Sequence, residues 1–136
     1  VQQPAGDSID PLFTPYFKGL DEAVLRFPHC RACGRFHWYP LPLCPHCRSD
    51  DVEWKRVSGE ATIFTWTVVH HAFDRDFHLK PPYIVALLEF HDAPGVRLVA
   101  NIVGDPVETI AIGQSVKPEF GRRDGQAYVQ FRIVAS

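Results

Sequence analysis

Hydrophobic positions along this chain follow a helical spacing first, then none, then a period of two. Phe13, Phe17 and Leu20 fall at i, i+4 and i+7, with Tyr16 flanking them. Thr14 followed by Pro15 reads as a helix cap and first helical residue. A helix this short does not hold itself together in water, so its aromatics must pack on the chain or on a partner. Ala23 to Phe27 runs extended, and a stretch rich in cysteine, histidine and proline then ends all periodicity. Within it, Arg35 to Pro40 reads as a strand, and Pro40, Pro42 and Pro45 impose a rigid, non-helical path.

From Val52 the pattern is that of strands. Val52–Val57 leads out of the irregular stretch, and Ser58-Gly59 is a bend. Glu60–Val69 alternates, with Thr62, Phe64, Trp66 and Val68 on the face predicted to point inward. Tyr83–Phe90 is apolar on both faces and therefore central. His91 to Gly95 turns the chain back into Val96–Val103. A connection with a possible helical turn at Pro106 precedes Ser115–Phe120, where Pro118 implies an edge or bulge. Asp124-Gly125 is a favoured hairpin turn into Ala127–Ile133. Phe64, Trp66, Val68, Leu88, Val129 and Phe131 are the expected core.

Five strands, the first of them long, with an insertion after the third, have the rhythm of an OB-fold barrel, against other small barrels such as the SH3-like ones. The expected class is mainly β: a short N-terminal helix, a rubredoxin-like zinc ribbon, then a five-stranded OB-fold barrel. The expected divisions are residues 1–27 for linker and helical segment, 28–52 for the ribbon and 53–136 for the barrel.

The ribbon rests on cysteine spacing. Cys30-Arg31-Ala32-Cys33 and Cys44-Pro45-His46-Cys47 contain every cysteine of the chain. Each C-x-x-C pair lets one tight turn aim two sulfurs at one point, and two such turns offer four thiolates to a tetrahedral Zn²⁺. Disulfides and a rubredoxin-type iron site are the alternatives; reducing surroundings weigh against the first, and the short gap between the pairs against the second. Gly34 follows the first pair where the turn needs positive φ, and Arg48 stands in the equivalent place after the second. With four cysteines available, His29, His37 and His46 are expected at the surface. A closed four-thiolate shell has no open position, so the metal's expected role is structural.

Charge narrows the function. A net charge of −2 with scattered basic residues argues against a nucleic-acid partner, which needs a clustered positive face. No apolar run has the ~20 residues of a membrane helix, and no targeting segment is evident, so the expected compartment is the cytoplasm. The polar start from Val1 to Ser8 is linker-like, and the chain contains no methionine. Either the chain is the C-terminal piece of a longer polypeptide, or an initiator or tag has been removed.

Several blocks together resemble one family: Pro15-Tyr16-Phe17-Lys18-Gly19-Leu20, Cys30 to Gly34, Pro42 to Cys47, Ser58 to Val69, Pro82 to Leu87 and Ile112 to Phe120. It is the family of zinc-ribbon plus OB-fold acyl-CoA-associated proteins, long catalogued as a domain of unknown function. Tyr16-Phe17, where many relatives resemble Phe-Trp, and Arg48, where Gly is common, are the departures. The resemblance implies a non-catalytic subunit in a hetero-oligomer with a thiolase-like enzyme of the sterol-carrier type. It further implies support of acyl-CoA chemistry, in particular retro-aldol cleavage of a steroid side-chain CoA thioester.

Under that reading, contacts with the partner or with acyl-CoA would come from Phe13, Tyr16 and Phe17. The loop carrying His70, His71, Phe73, Arg75, Phe77, His78 and Lys80 is the other source. Two rivals remain: a single-stranded nucleic-acid module, which would need aromatic platforms beside a basic groove, and an enzyme acting alone through His70, His71, Asp74 and Asp76. The second lacks a nucleophile motif.

Overall fold

A computed structural model describes residues 11–70, 82–104 and 110–134. The linker-like start, most of the 70–82 loop and the turn expected at Pro106 lie outside the described residues. A 3-10 turn, Pro11–Phe13, runs straight into helix α1, Thr14–Asp21. Thr14 is therefore already helical, and no side chain caps the helix; the expected Thr14 cap is corrected. The buried face is also one step round from the expected one, carrying Tyr16, Gly19 and Leu20, with Phe13 and Phe17 half-buried. The reason lies in Gly19: a Cβ there would stand 2.8 Å from the Val24 carbonyl oxygen. The helix leans on the chain through its bare backbone, which turns Tyr16 inward.

Strands β1, Leu25–Cys30, and β2, Val52–Val57, form an antiparallel stem in register from Leu25↔Val57 to Cys30↔Val52. The cysteine-rich segment is the tip of this stem. The strand expected at Arg35–Pro40 is reduced to one bridge, His29↔Phe36. Beyond Phe36, only His37 donates back to the stem, to the Pro28 carbonyl at 3.1 Å. Pro40 and Pro42 have no N–H to extend a ladder.

Five strands close the barrel: β3 Ala61–Val69, β4 Tyr83–Phe90, β5 Ala93–Val103, β6 Ser115–Arg123 and β7 Gln126–Ile133. Their order is β3-β4-β5-β7-β6, with β6 returning to β3, and only β5–β7 is parallel. This is an OB-fold. At the tip of the β6–β7 hairpin, Asp124 and Gly125 have φ of 52° and 80°, the two positive values a type I′ turn requires. Pro118 pairs with Phe131 on one side, past the last residue of β6 that pairs with β3, Val116, so its missing N–H costs no ladder bond there.

Phe64 breaks the predicted inward face of β3. Ile63 pairs with Leu88 and Thr65 with Leu87, so Phe64 is the extra residue of a bulge. Ala61 and Ile63 point inward before it, and Trp66 and Val68 pack on the core after it. Phe64 itself is turned out, with the Arg97 guanidinium stacked 4.0 Å from its ring centre. Leu88 and Phe131 are fully buried, as expected, and Val129 is half-buried against the core. A line of rings joins stem and barrel: Trp38–Phe27 at 5.3 Å, Phe27–Phe90 at 5.0 Å and Phe90–Phe131 at 6.0 Å. No described helix is long and apolar enough to cross a membrane.

Candidate metal centre and its surroundings

The two C-x-x-C segments fold into near-identical knuckles. In the first, Cys30 N–H donates to Arg35 O (2.9 Å) and Gly34 N–H to Cys30 O (2.8 Å). In the second, Cys44 N–H donates to Ser49 O (2.8 Å) and Arg48 N–H to Cys44 O (2.9 Å). The leading sulfur of each also accepts an amide, Cys33 N–H to Cys30 Sγ at 3.4 Å and His46 N–H to Cys44 Sγ at 3.3 Å. The knuckles face each other across Cys30–Cys47 and Cys33–Cys44 sulfur separations of 3.6 and 3.7 Å.

All four sulfurs lie within 4.8 Å of one another. Thiolates about 2.3 Å from a central tetrahedral ion would stand about 3.8 Å apart, so the four cysteines are positioned to bind one. Cys30 and Cys44 are buried, while Cys33 and Cys47 are exposed. Burial pushes the Cys44 thiol up, but the amides of Cys47 and His46 and the neighbouring thiols outweigh it and bring it down to about 6. The knuckle amides thus favour a thiolate at Cys44. At Cys33 and Cys47, amide bonds from Arg35 and Ser49 are outweighed by burial and the neighbouring thiols, which hold those two thiols above the ordinary value.

The three histidines around the centre divide. His29 is half-buried, its Nδ1–H donating to Glu53 Oε2 at 3.0 Å and its ring 4.7 Å from Phe36. That hydrogen bond, with Arg31 nearby, holds the Glu53 carboxyl below its ordinary range. His46 is exposed and donates Nε2–H to Phe36 O at 3.3 Å. His37 is buried, contrary to the expected surface position, because the chain returning from Phe36 folds back on the stem, His37 N–H donating to Pro28 O at 3.1 Å.

Of the expected contact residues, Phe13 and Phe17 are half-buried on one side of the helix, and Tyr16 is buried against Trp38 at 4.9 Å. His70 is exposed at the end of β3. His71, Phe73, Arg75, Phe77, His78 and Lys80, with Asp74 and Asp76, lie outside the described residues. What pattern reading missed is the exposed row Tyr39, Leu41 and Leu43, at 53%, 46% and 48%. Phe13 meets Tyr39 at 6.2 Å, and Leu12 is exposed beside it in sequence, so the row continues onto the N-terminal segment. The available signal was apolar residues alternating with Pro40 and Pro42, in a path that offers no regular element to bury them.

A four-cysteine ribbon carried on a two-stranded stem, followed by a closed OB-fold, defines a ribbon–OB-fold protein. The models of the rubredoxin-like zinc ribbon domain and the C-terminal OB-fold domain of ChsH2 match residues 17–53 and 54–121. The chain belongs to this ChsH2 family, whose members also carry the name DUF35.

A probable enoyl-CoA hydratase alpha subunit of Thermomonospora curvata is 35% identical over 101 residues, 74% of this chain and 30% of that protein. A DUF35 domain-containing scaffold protein of Methanocaldococcus jannaschii is 33% identical over 94 residues, 68% of this chain and 64% of that protein. The chain therefore spans less than two thirds of either curated relative. Among solved structures, a chain of the Ltp2–ChsH2(DUF35) aldolase superposes with a TM-score of 0.83 at 30% identity, covering 96% of this chain and 98% of that one. A DUF35-family protein of unknown function from Sulfolobus solfataricus gives 0.66 at 21% identity over 94% and 89%, a likeness of fold.

Proposed function

We propose that this chain is a non-catalytic subunit that docks on a thiolase-like enzyme and supports acyl-CoA chemistry. The reaction we assign to the complex is retro-aldol cleavage of a steroid side-chain CoA thioester, in the cytoplasm. The observation that carries this reading is the near end-to-end match to a chain of a two-component aldolase. The scaffold name of the archaeal relative and the subunit name of the actinobacterial one agree with it. We propose zinc as the ion, since four thiolates at tetrahedral spacing suit it and leave no position open for substrate. Its part is then to lock the knuckles.

The same reading makes Leu12, Phe13, Tyr39, Leu41 and Leu43 the docking face. Large apolar groups held on a rigid proline path supply contact area at little entropic cost. Phe17 borders that face, and the stretch from His70 to Lys80 is the second contact we assign, towards acyl-CoA. The test is purification from the native host with the partner identified by mass spectrometry, followed by turnover of an acyl-CoA aldol by each component and by the mixture. Turnover by the mixture alone supports the reading. Turnover by this chain alone, or recovery without a thiolase-like protein, overturns it.

A further inference from the structure

Each close sulfur pair of the ribbon joins an exposed cysteine to a buried one. Cys33 is exposed and lies 3.7 Å from the buried Cys44, and Cys47 is exposed and lies 3.6 Å from the buried Cys30. Both pairs run across the centre, from one knuckle to the other. A disulfide holds its sulfurs about 2.05 Å apart, so each pair would close by roughly 1.6 Å. A small oxidant meets the exposed member first, and a second cysteine already stands beside it to complete the bond.

The run 39–43 hangs on the same pairs. Tyr39, Leu41 and Leu43 are exposed on it, and Pro40 and Pro42 leave it two amides short of a ladder. At one end it is fixed by the rings of Trp38 and Tyr39, which meet Phe13, Tyr16 and Phe27. At the other end it runs directly into Cys44, whose N–H donates to Ser49 O within the second knuckle. Leu41 and Leu43 therefore take their position from the knuckle.

We propose that the ribbon is an oxidant-sensitive latch on this run, thrown by a peroxide. The Cys33 thiolate attacks one peroxide oxygen; an S–O bond forms, the O–O bond breaks, and the other oxygen leaves as hydroxide, which takes a proton. Cys33 is then a sulfenic acid. The Cys44 thiolate attacks the Cys33 sulfur, the S–S bond forms, and the second oxygen leaves in the same way. Cys47 and Cys30 repeat the sequence, so four thiols and two molecules of hydrogen peroxide give two disulfides and four waters. A bound ion keeps the cysteines as thiolates beforehand, and disulfide sulfurs no longer hold it. Closure of Cys33 on Cys44 then draws Leu41 and Leu43 out of place. The loss of docking that follows rests on the docking face assigned above; the oxidation itself does not.

The zinc-loaded 136-residue chain is treated with hydrogen peroxide and followed by four readouts. At low peroxide, dimedone should label Cys33 and Cys47 and spare Cys30 and Cys44. At two equivalents, the zinc should be released, and fragmentation mass spectrometry should find Cys33–Cys44 and Cys30–Cys47 disulfides. The Leu41 and Leu43 amide cross peaks should move while that of Phe131 stays in place. Affinity for a thiolase-like partner should fall at least about tenfold, the worth of one interface anchor, and return with dithiothreitol and zinc. The latch is overturned by zinc retained after oxidation, by disulfides confined within a C-x-x-C pair, by labelling of Cys30 or Cys44 first, or by Leu41 and Leu43 peaks that do not move. An untreated chain that binds no such partner overturns the docking face alone, since the zinc, disulfide and amide readouts need no partner. A partner bound equally well before and after oxidation overturns the latch.

Discussion

Gly34 and Arg48 occupy the same place in the two knuckles. Each follows the second cysteine of its pair and donates its amide to the carbonyl of the first, and each has positive φ, 76° and 67°. Glycine adopts that conformation freely, while a side chain at Arg48 bears left-handed strain. Arg48→Gly should therefore stabilise the metal-loaded chain by about 0.5–1 kcal/mol. Gly34→Ala should destabilise it by about 1 kcal/mol, through backbone strain alone, because a Cβ there meets nothing within 4 Å. Chemical denaturation of the two variants with metal bound checks both signs; equal effects would mean that the two turns are not equivalent.

Metal and ribbon should be lost together. Cys44 lies at the buried side of the centre, and binding energy at such a site is largely folding energy. The wild type should contain one zinc per chain by elemental analysis. Cys44→Ala should abolish it and remove the cooperative melting of the ribbon. A variant with unchanged metal content and melting would exclude the site.

Two phenylalanines of the barrel should behave oppositely. Phe131, fully buried beside Phe90, should cost about 3–5 kcal/mol when replaced by alanine. Phe64, turned out on its bulge under Arg97, should cost no more than about 1 kcal/mol. Urea titrations of the two variants decide whether the bulge is placed correctly.

Glu119 offers a pH test. Hydrogen bonds from Arg132 first, and Gln130 second, hold its carboxyl below the ordinary value. A depressed folded pKa means that this pairing of β6 with β7 stabilises above the unfolded carboxylate pKa of about 4.3, and is lost as pH falls through the folded one. Carboxyl carbon shifts should show Glu119 titrating late on acidification. Arg132→Gln should move its midpoint back up, and an unchanged midpoint would exclude the assigned cause.

On the docking face, Leu41→Ala and Tyr39→Ala should each weaken the complex with a thiolase-like partner by more than about 1 kcal/mol while melting stays constant. Tyr16→Ala should instead lower melting, since Tyr16 is buried against Trp38. Phe13→Ala and Phe17→Ala, at half-buried positions, separate the two effects when affinity and melting are measured on each. Unchanged binding in all four surface variants would move the interface elsewhere, and the barrel's outer faces would be the next place to look.

Cysteine spacing, the Asp124-Gly125 turn and the positive φ required after each cysteine pair were all legible along the chain. Each is decided within a few residues, by how far one turn can carry a sulfur or by which residues tolerate left-handed backbone. The number of barrel strands followed from apolar and period-two runs and from connection lengths, which is why the OB-fold could be anticipated; the order β3-β4-β5-β7-β6 came from the structure.

Other features depended on contacts between segments distant in sequence. Alternation counts one face per residue, so it passes through Phe64 unbroken; only the pairing of Ile63 with Leu88 and Thr65 with Leu87 reveals the extra residue. Helical spacing could not choose between Tyr16 and Phe17, because the close approach at Gly19 is made by Val24. His37 is buried by the ribbon folding back on its own stem, and Leu41 and Leu43 stay exposed because no strand forms beneath them. Local chemistry determined the metal knuckles and the barrel's rhythm, and long-range packing decided which side chains face water.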